Sequence, residues 1–338
     1  MMTTEQPIRV VLIAGPTASG KSALALALAR ELGGAVVNAD ASQVYADLRV
    51  LTARPTEADE AKAPHRLYGH VDGGDAYAVG RWVSDVFMVA KELTGDVQLS
   101  DRLRISEPPR AEGRPAIPVL VGGTGLYFEA LTAGLASVPE IPAEIRTRWR
   151  GTPPGDLYDE LVRRDPAMAA RLRPSDPQRL TRALEVFEAT GRSLAAWQAE
   201  TTPGPVAAAD ALRIVLAPDR AALDGAIARR LEAMIDAGAR DEAERLFARG
   251  LDPATPVLKA LGAAPFAAWA RGEITREGAL ARTQLDTRRY AKRQSTWFRN
   301  RMADWIHVAP EKALEAAMAE IRRRGVDAPL MSRPRAGT

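Results

Sequence analysis

A glycine-rich octapeptide near the N-terminus has the residue types and the spacing of a phosphate-binding loop. It fits the pattern G-x-x-x-x-G-K-[ST], in which the glycines let backbone N–H groups converge on phosphate oxygens. Lys21 adds a positive charge, and the Ser22 hydroxyl is a candidate ligand for Mg²⁺. We therefore predict that a diphosphate group binds to Gly15, Pro16, Thr17, Ala18, Ser19, Gly20, Lys21 and Ser22.

A phosphate loop of this kind most often binds ATP or GTP, so the pattern alone also fits a P-loop small-molecule or nucleoside kinase. Such enzymes usually have a second strand that ends in an acidic residue near Mg²⁺. Here the apolar run at residues 118–121 ends in glycines, and Asp40 follows a strand very close to the loop. The loop therefore predicts diphosphate binding without specifying a nucleotide.

The segments around the loop alternate between strand and helix patterns. A β-branched apolar run at residues 8–14 precedes the loop, and strong helix formers at residues 23–32 follow it. Further strand-like runs lie at residues 35–37, 117–121 and 212–216. This order predicts an α/β fold: a P-loop NTPase-like core with a parallel sheet flanked by helices.

A helical and strongly basic stretch interrupts the predicted core. We assign residues 1–138 and 206–325 to a discontinuous core domain and residues 139–205 to a helical insertion. Residues 94–115 are polar and rich in Arg, Glu and Pro, which predicts a surface excursion, and residues 326–338 are predicted to be a disordered tail.

The composition excludes several kinds of site. The chain has 338 residues, of which 46% are hydrophobic and 26% charged, and a net charge of +3. It has no cysteine, which excludes disulfides and thiolate chemistry, and its three histidines lack the spacing of a metal cluster. No run approaches the ~20 apolar residues of a membrane span. We predict a soluble, cytoplasmic protein that does not contact membranes.

Seven segments, in this order, resemble the tRNA dimethylallyltransferase (tRNA isopentenyltransferase) family. The similarity covers roughly residues 8–305, and the joint order of the segments is far more specific than any one of them. The segments are GPTASGKS at 15–22, NADASQVY at 38–45, TARP at 52–55, PHRL at 64–67, VGGTGLY at 121–127, DPQRLTRALE at 176–185 and RRYAKRQSTWF at 288–298.

The resemblance implies a reaction and its substrates. The phosphate loop would bind dimethylallyl diphosphate with Mg²⁺, and the helical insertion would grip the anticodon stem-loop of tRNA. The dimethylallyl group would pass to N6 of the adenosine immediately 3′ of the anticodon, tRNA position 37. The products would be N6-isopentenyladenosine and diphosphate, and we expect a monomeric enzyme.

The resemblance also assigns catalytic roles to Asp40, Thr124 and Lys21. Asp40 matches the general base of the family, and a carboxylate is suited to take the proton that N6 loses as the N–C bond forms. Position alone fits a turn or cap residue equally well. Thr124 matches a hydroxyl that contacts the reacting region, and the neighbouring Gly122, Gly123 and Gly125 are expected to allow close approach to substrate.

A larger set of positions matches tRNA contacts of the family. For each arginine in this set, a solvated helix face is the alternative interpretation, because exposed arginines are common. The predicted tRNA-binding residues are Asp40, Ala41, Ser42, Gln43, Thr124, Arg146, Gln178, Arg179, Leu180, Thr181 and Arg182.

A basic stretch near the C-terminus suits either RNA or the hydrophobic core. Its arginines and lysine at residues 288–301 could contact phosphates, some of them those of the diphosphate. Tyr290, Trp297 and Phe298 could stack on bases, but their helical spacing favours a core face.

The sequence departs from the family at three places, one of which is the stretch at residues 94–115, which is longer than the family leads us to expect. Gly262-Ala263-Ala264-Pro265 replaces the usual Gly-Tyr-Lys/Arg-Glu/Gln, and Ala41 stands where Ser is common. Two further alternatives remain: transfer to a free adenine nucleotide, which the long helical insertion disfavours, and a non-catalytic RNA-binding P-loop protein.

Overall fold

A computed structural model describes residues 7–94, 117–201 and 203–324 of the chain. The predicted excursion at residues 94–115, apart from Thr94, and the predicted tail at residues 326–338 lie outside the described residues. Contacts between Cα atoms divide the chain into two compact units. Of the described residues, the first unit comprises 7–94, 117–131 and 205–324, and the second comprises those within 132–204.

The first unit is built on a parallel sheet, which confirms the predicted fold class. Within the described residues the sheet has six strands in the order β3-β2-β4-β1-β5-β6, and every pairing between them is parallel. The strands are β1 (Val10–Ala14), β2 (Ala35–Asn38), β3 (His65–Arg66), β4 (Pro118–Gly122), β5 (Ala211–Leu216) and β6 (Ile306–Val308).

Helices connect and cover the strands, as the alternation of patterns predicts. In chain order the described helices are α1 (Lys21–Glu31), α2 (Glu57–Glu60), α3 (Val79–Thr94), α4 (Gly125–Thr132), α5 (Ala143–Gly151), α6 (Pro154–Arg164), α7 (Pro166–Ala169), α8 (Pro177–Thr190), α9 (Leu194–Ala199), α10 (Arg220–Asp236), α11 (Ala239–Ala248), α12 (Ala263–Ala270), α13 (Arg276–Arg301) and α14 (Ala313–Arg323).

The central strands are apolar throughout because helices pack on both faces of the sheet. Every residue of β1 and of β4 is buried. Leu28 of α1 and Ile321 of α14 belong to one core cluster, whereas Trp82 of α3, Phe128 of α4 and Phe298 of α13 belong to another. Each such side chain contributes roughly 1.5–3 kcal/mol when it leaves water, so the sheet edge that carries the site is firmly held.

The carboxyl ends of three neighbouring strands meet at one edge of this sheet. The phosphate loop follows β1, Asp40 follows β2, and Thr124 follows β4. Because β2, β4 and β1 are adjacent and parallel, their ends bring these three segments together. The fold thus places the three predicted catalytic residues at the edge where α/β proteins bind ligands.

The second unit consists of helices α5 to α9. Its core contains Trp149, Leu157, Leu161, Leu180 and Leu184. Asp165 and Asp176 cap helices α7 and α8 by accepting backbone N–H bonds at their first turns. Among the described residues of the whole chain, no helix is long and apolar enough to span a bilayer.

Candidate functional site

A cavity of about 710 Å³ in the first unit gathers the predicted catalytic residues. Its walls come from the phosphate loop, from the segments after β2 and β4, and from helices α10 and α13. The lining residues are Thr17–Ser22, Asp40–Gln43, Tyr45, Leu51–Ala53, Thr124, Ala226, Arg230, Pro256, Val257, Lys259–Leu261, Tyr290 and Arg293.

The phosphate loop leaves its helix N-terminus available to an anion. Helix α1 begins at Lys21, and its N-cap residue, Gly20, has φ of 85° and offers no side chain to the first-turn N–H groups. Ala18 also has a positive φ, 62°. Free N–H groups at a helix N-terminus attract phosphate oxygens. Gly15 and Pro16 are buried beneath the loop and do not line the cavity.

Two cations face this loop without a carboxylate partner. Lys21 Nζ donates to the Pro16 carbonyl at 3.3 Å, and neither Lys21 nor Arg230 forms an ion pair within the described residues. Burial lowers the pKa of Lys21 to about 8; the charge of Asp40 opposes this shift, and Arg230 adds to it. Burial likewise lowers the pKa of Arg230. A diphosphate would relieve this concentration of positive charge.

Arg230 is a site residue that the sequence analysis missed. It donates from Nη1 to Thr17 Oγ1 at 3.0 Å and from Nη2 to the Thr52 carbonyl at 3.3 Å. The sequence did contain a signal, because Arg230 lies among Ile227, Leu231 and Met234 on the buried face of α10. Arginine is rarely found on such a face unless its charge has a partner or a function.

Asp40 is held rigidly through one of its carboxylate oxygens. Oδ1 accepts hydrogen bonds from the Ser42 N–H at 3.0 Å and from Ser42 Oγ at 2.7 Å, and the Asp40 N–H donates to Asn38 Oδ1 at 2.8 Å. Within the described residues no hydrogen bond reaches Oδ2. The carboxylate therefore has a fixed orientation and one oxygen that can take a proton.

Thr124 connects the segment after β4 to the segment after β2. Its Oγ1 accepts a hydrogen bond from the Ala41 N–H at 2.9 Å, and its own N–H donates to the Ala39 carbonyl at 3.3 Å. The hydroxyl proton of Thr124 remains available to another acceptor in the cavity. Thr124 thus both shapes the loop of Asp40 and presents a donor.

Gln294 on α13 joins the two loops that flank the cavity, and the sequence analysis assigned it no role. Its Oε1 accepts the Thr17 N–H at 2.9 Å, and its Nε2 donates to the Gly123 carbonyl at 2.8 Å. The side chain is 5% exposed. Its position on the buried stripe of α13, with Ala291 and Phe298, was the available signal.

Neighbouring protein groups require the glycines at the end of β4 and just after it. A Cβ at Gly122 would lie 1.9 Å from the Ala39 carbonyl oxygen, and one at Gly123 would lie 2.2 Å from Gln294 Nε2. At Gly125 a Cβ would meet the Trp297 indole at 2.2 Å. The expected close approach to substrate stays a prediction.

Part of the basic and aromatic stretch on α13 packs or forms ion pairs within the protein. Phe298 is fully buried and Trp297 partly so, as the helical spacing favours, whereas Tyr290 lines the cavity. Arg288 pairs with Asp224, Arg289 with Asp286 and Arg301 with Glu129, and Arg293 also lines the cavity. Burial, aided by the charge of Asp40, raises the pKa of Tyr290 far above neutrality, so its phenol stays protonated.

The predicted tRNA-binding residues fall into two groups. Asp40–Gln43 and Thr124 line the cavity. Gln43 is already engaged there, because its Nε2 donates to the carbonyls of Thr52 and Ala53 at 2.8 and 3.0 Å. The second group belongs to the helical unit, which is described by itself: Arg146, Gln178, Arg179, Leu180, Thr181 and Arg182.

Within the helical unit these residues differ in what they can offer to RNA. Gln178, Arg179 and Arg182 are exposed. The charges of the two arginines are partly compensated, since Arg179 pairs with Asp176 at 3.3 Å and Arg182 with Glu185 at 3.6 Å. Leu180 is fully buried in the core of the unit, so its side chain packs α8 and is not available to RNA.

Few side chains in the cavity could act as ligands of a divalent cation. Among the described residues no group of three or more His, Asp or Glu side chains could hold a metal ion. Ser22 is exposed at the start of α1, and Asp40 lines the same cavity. Mg²⁺ usually keeps several waters and binds through one or two protein oxygens plus substrate phosphates, so these residues fit an ion that accompanies a diphosphate.

Comparisons with known proteins agree with this geometry. The chain matches the IPP transferase family over residues 43–301 and the isopentenyl transferase family over residues 8–73. A tRNA dimethylallyltransferase of Azorhizobium caulinodans is 50% identical over 316 residues, which are 92% of this chain and 96% of that protein. One of a Methylobacterium species is 51% identical over 314 residues, 91% of this chain and 97% of that protein.

Solved structures share the fold. A full-length tRNA isopentenylpyrophosphate transferase from Bacillus halodurans has a TM-score of 0.63 and 27% identity, covering 95% of this chain and 98% of that one. A eukaryotic dimethylallyltransferase acting on tRNA has a TM-score of 0.72 and 25% identity, covering 90% of this chain and 74% of that one. With its parallel sheet, its phosphate loop and its extended identity to these proteins, the chain belongs to the IPP transferase family.

Proposed function

We propose that this protein transfers the dimethylallyl group from dimethylallyl diphosphate to N6 of the adenosine immediately 3′ of the anticodon of tRNA. The observation that carries the proposal is the shared cavity, which places the phosphate loop and its unpaired cations beside a rigid carboxylate with one free oxygen. A phosphate-binding half and a proton-accepting half are the two parts that this transfer needs.

The phosphate half stabilises the leaving group. As the C–O bond of the donor breaks, its electron pair passes to the bridging oxygen and negative charge grows on the diphosphate. Lys21, Arg230 and the free N–H groups of α1 lie where they can stabilise that charge. Because Thr17 and the Thr52 carbonyl fix the Arg230 guanidinium before the donor arrives, little reorganisation is needed during the reaction.

The carboxylate half activates the acceptor. N6 of adenine attacks the allylic carbon, and the proton that N6 loses passes to Oδ2 of Asp40, while Ser42 keeps Oδ1 in place. An adenosine must leave the stack of the anticodon loop to reach a cavity at the sheet edge. Tyr45 and Tyr290 provide aromatic surface in that cavity.

We also propose that Mg²⁺ binds together with the diphosphate of the donor. It would be held by Ser22 Oγ together with the diphosphate oxygens, and it would neutralise part of the charge on the leaving group.

The exposed Gln178, Arg179 and Arg182 of the helical unit are proposed to contact the anticodon stem-loop, together with Arg146, Thr181 and the cavity residues Ala41–Gln43. We propose that the enzyme acts as a monomer in the cytoplasm.

The kinase alternative is not favoured. Its phosphate loop would also fit the cavity, but the relatives that match over most of the chain are named tRNA dimethylallyltransferases. In addition, β4 ends in glycines that pack against Ala39 and Gln294, so this strand carries no acidic residue at its carboxyl end.

A single assay tests the reaction and the acceptor together. Purified protein is incubated with Mg²⁺, dimethylallyl diphosphate and an anticodon stem-loop that contains adjacent adenosines, and the RNA is weighed by mass spectrometry. We expect a gain of one isopentenyl unit that disappears when the target adenosine is replaced by guanosine. No gain in RNA mass, with ATP turnover on small acceptors instead, would support the kinase.

The proton acceptor is tested by Asp40→Asn, which keeps the shape of the side chain. We expect turnover to be nearly abolished, because an amide cannot take the proton, with stem-loop affinity within a few-fold of wild type. Unimpaired turnover would remove Asp40 from this role.

A further inference from the structure

A buried carboxylate that does not line the cavity holds one of its walls. Glu242 lies in the first turn of α11 and is 5% exposed. Its Oε2 accepts the N–H groups of Arg49 and Val50, and its Oε1 accepts the N–H of Leu51, each at 2.8 Å. Within the described residues Glu242 forms no ion pair, so these three bonds are its main compensation for burial.

The segment that Glu242 holds continues directly into the site. Leu51, Thr52 and Ala53 line the cavity. The Thr52 carbonyl accepts Nη2 of Arg230 at 3.3 Å, and the Thr52 and Ala53 carbonyls accept Nε2 of Gln43. A continuous series of hydrogen bonds and backbone therefore connects Glu242, through residues 49–52, to the Arg230 guanidinium that faces the phosphate loop.

The turn at these residues is strained and needs such a support. Ala53 has φ of 50°, a left-handed conformation that costs a residue with a Cβ roughly 1–2 kcal/mol. The Ala53 N–H donates to the Val50 carbonyl at 2.9 Å, and Thr52 Oγ1 donates to the Leu48 carbonyl at 2.8 Å. The N–H groups of residues 49–51 all point to the Glu242 carboxylate, which ties this turn to α11.

We infer that Glu242 is a positioning residue for the donor diphosphate, which it serves by fixing the residue 49–53 turn and, through Thr52, the guanidinium of Arg230. The inference rests on the proposed function. A glutamine cannot replace the carboxylate, because both oxygens of Glu242 accept N–H bonds and an amide would turn its NH₂ group against one of these donors.

The experiment compares Glu242→Gln with a matched control. Asp165→Asn removes another buried carboxylate that accepts a backbone N–H, from Met168, but Asp165 belongs to the helical unit. We expect Glu242→Gln to raise both the KM and the Kd for dimethylallyl diphosphate about tenfold, with kcat within about threefold of wild type. Asp165→Asn should leave both donor constants within twofold.

Two further measurements separate positioning from a general loss of stability. Amide hydrogen exchange should show faster exchange at residues 49–51 in Glu242→Gln and unchanged exchange there in Asp165→Asn. In a double-mutant cycle with Arg230→Lys, the donor KM of the double variant should rise less than the product of the two single effects, because one change acts through the other.

Several outcomes would overturn the inference. They are unchanged exchange at residues 49–51, a donor KM within twofold of wild type despite faster exchange, or independent effects in the cycle. If Glu242→Gln does not fold, Glu242→Asp is used in the same double-mutant cycle with Arg230→Lys, because it keeps the charge on a shorter side chain. Failure of the wild type to transfer any group to RNA would instead count against the proposed function, while the donor Kd would still test Glu242.

Discussion

Raising the pH should weaken donor binding through Lys21 before it affects the rest of the site. Burial lowers the pKa of the Lys21 ammonium to about 8, so this group loses its proton well below the range of an ordinary lysine. A lowered lysine pKa means that the positive charge is present below pH 8 and lost above it. The tyrosines near Asp40 stay protonated throughout, because burial raises the pKa of Tyr68, Tyr127 and Tyr290.

The size of the effect follows from the fraction of Lys21 that is charged. With a pKa of about 8, roughly nine-tenths of the enzyme carries the charge at pH 7 and roughly one-tenth at pH 9. If only the charged form binds the diphosphate, KM for dimethylallyl diphosphate rises about tenfold over this range, about 1.4 kcal/mol. The bound diphosphate holds the proton on Lys21, so kcat at saturating donor should fall less than kcat/KM.

The assay is steady-state transfer to a stem-loop at saturating RNA, with the donor concentration varied at each pH from 7 to 9. Lys21→Arg is the matched control, since a guanidinium remains charged throughout and reports any effect of the donor's own ionisation. We expect a nearly flat donor KM in this variant. A wild-type KM that does not change with pH, or one that changes equally in Lys21→Arg, would refute the assignment of this ionisation to Lys21.

Three other substitutions, and one control, test the cavity lining and the contacts that support it. Arg230→Ala should raise the KM for the donor at least tenfold more than the KM for the stem-loop, and equal effects in the same steady-state assay would contradict a diphosphate contact. Gln294→Leu leaves the Thr17 N–H and the Gly123 carbonyl without partners, so thermal or denaturant unfolding should show a loss of about 2–4 kcal/mol, and a loss below about 1 kcal/mol would mean that water replaces both bonds. Ala53→Gly should leave stability unchanged or raise it by up to about 1 kcal/mol, because it removes a Cβ from a left-handed turn. Ala264→Gly, in the first turn of α12, should instead lower stability by about 0.5–1 kcal/mol, and the same sign for both changes would argue against strain at Ala53.

The core fold was predictable because its strands are short, apolar runs next to recognisable loops. The runs predicted at residues 8–14, 117–121 and 212–216 correspond to β1, β4 and β5 within two residues at each end. The glycine loop fixed the position of the helix that follows β1. In contrast, β3 and β6 have only two and three residues, and nothing in their composition distinguishes them from loops.

The site was predictable where a local motif carries it and not where distant residues meet. Lys21, Asp40 and Thr124 were found from contiguous segments, and all three line one cavity; their catalytic roles stay predictions. Arg230 and Glu242 act through backbone carbonyls and N–H groups of residues 49–52, and no spacing along the chain encodes such contacts. A charged or polar residue on the buried stripe of an amphipathic helix was the one signal available for Arg230 and Gln294.

The bridge formed by Gln294 also has a consequence for translation. Thr17 and Gln294 are 277 positions apart, so the two loops are joined only after residue 294 has left the ribosome. Until then the Thr17 N–H and the Gly123 carbonyl lack the partner that joins them. A product truncated by a premature stop codon upstream of Gln294 therefore has both loops but lacks the side chain that joins them.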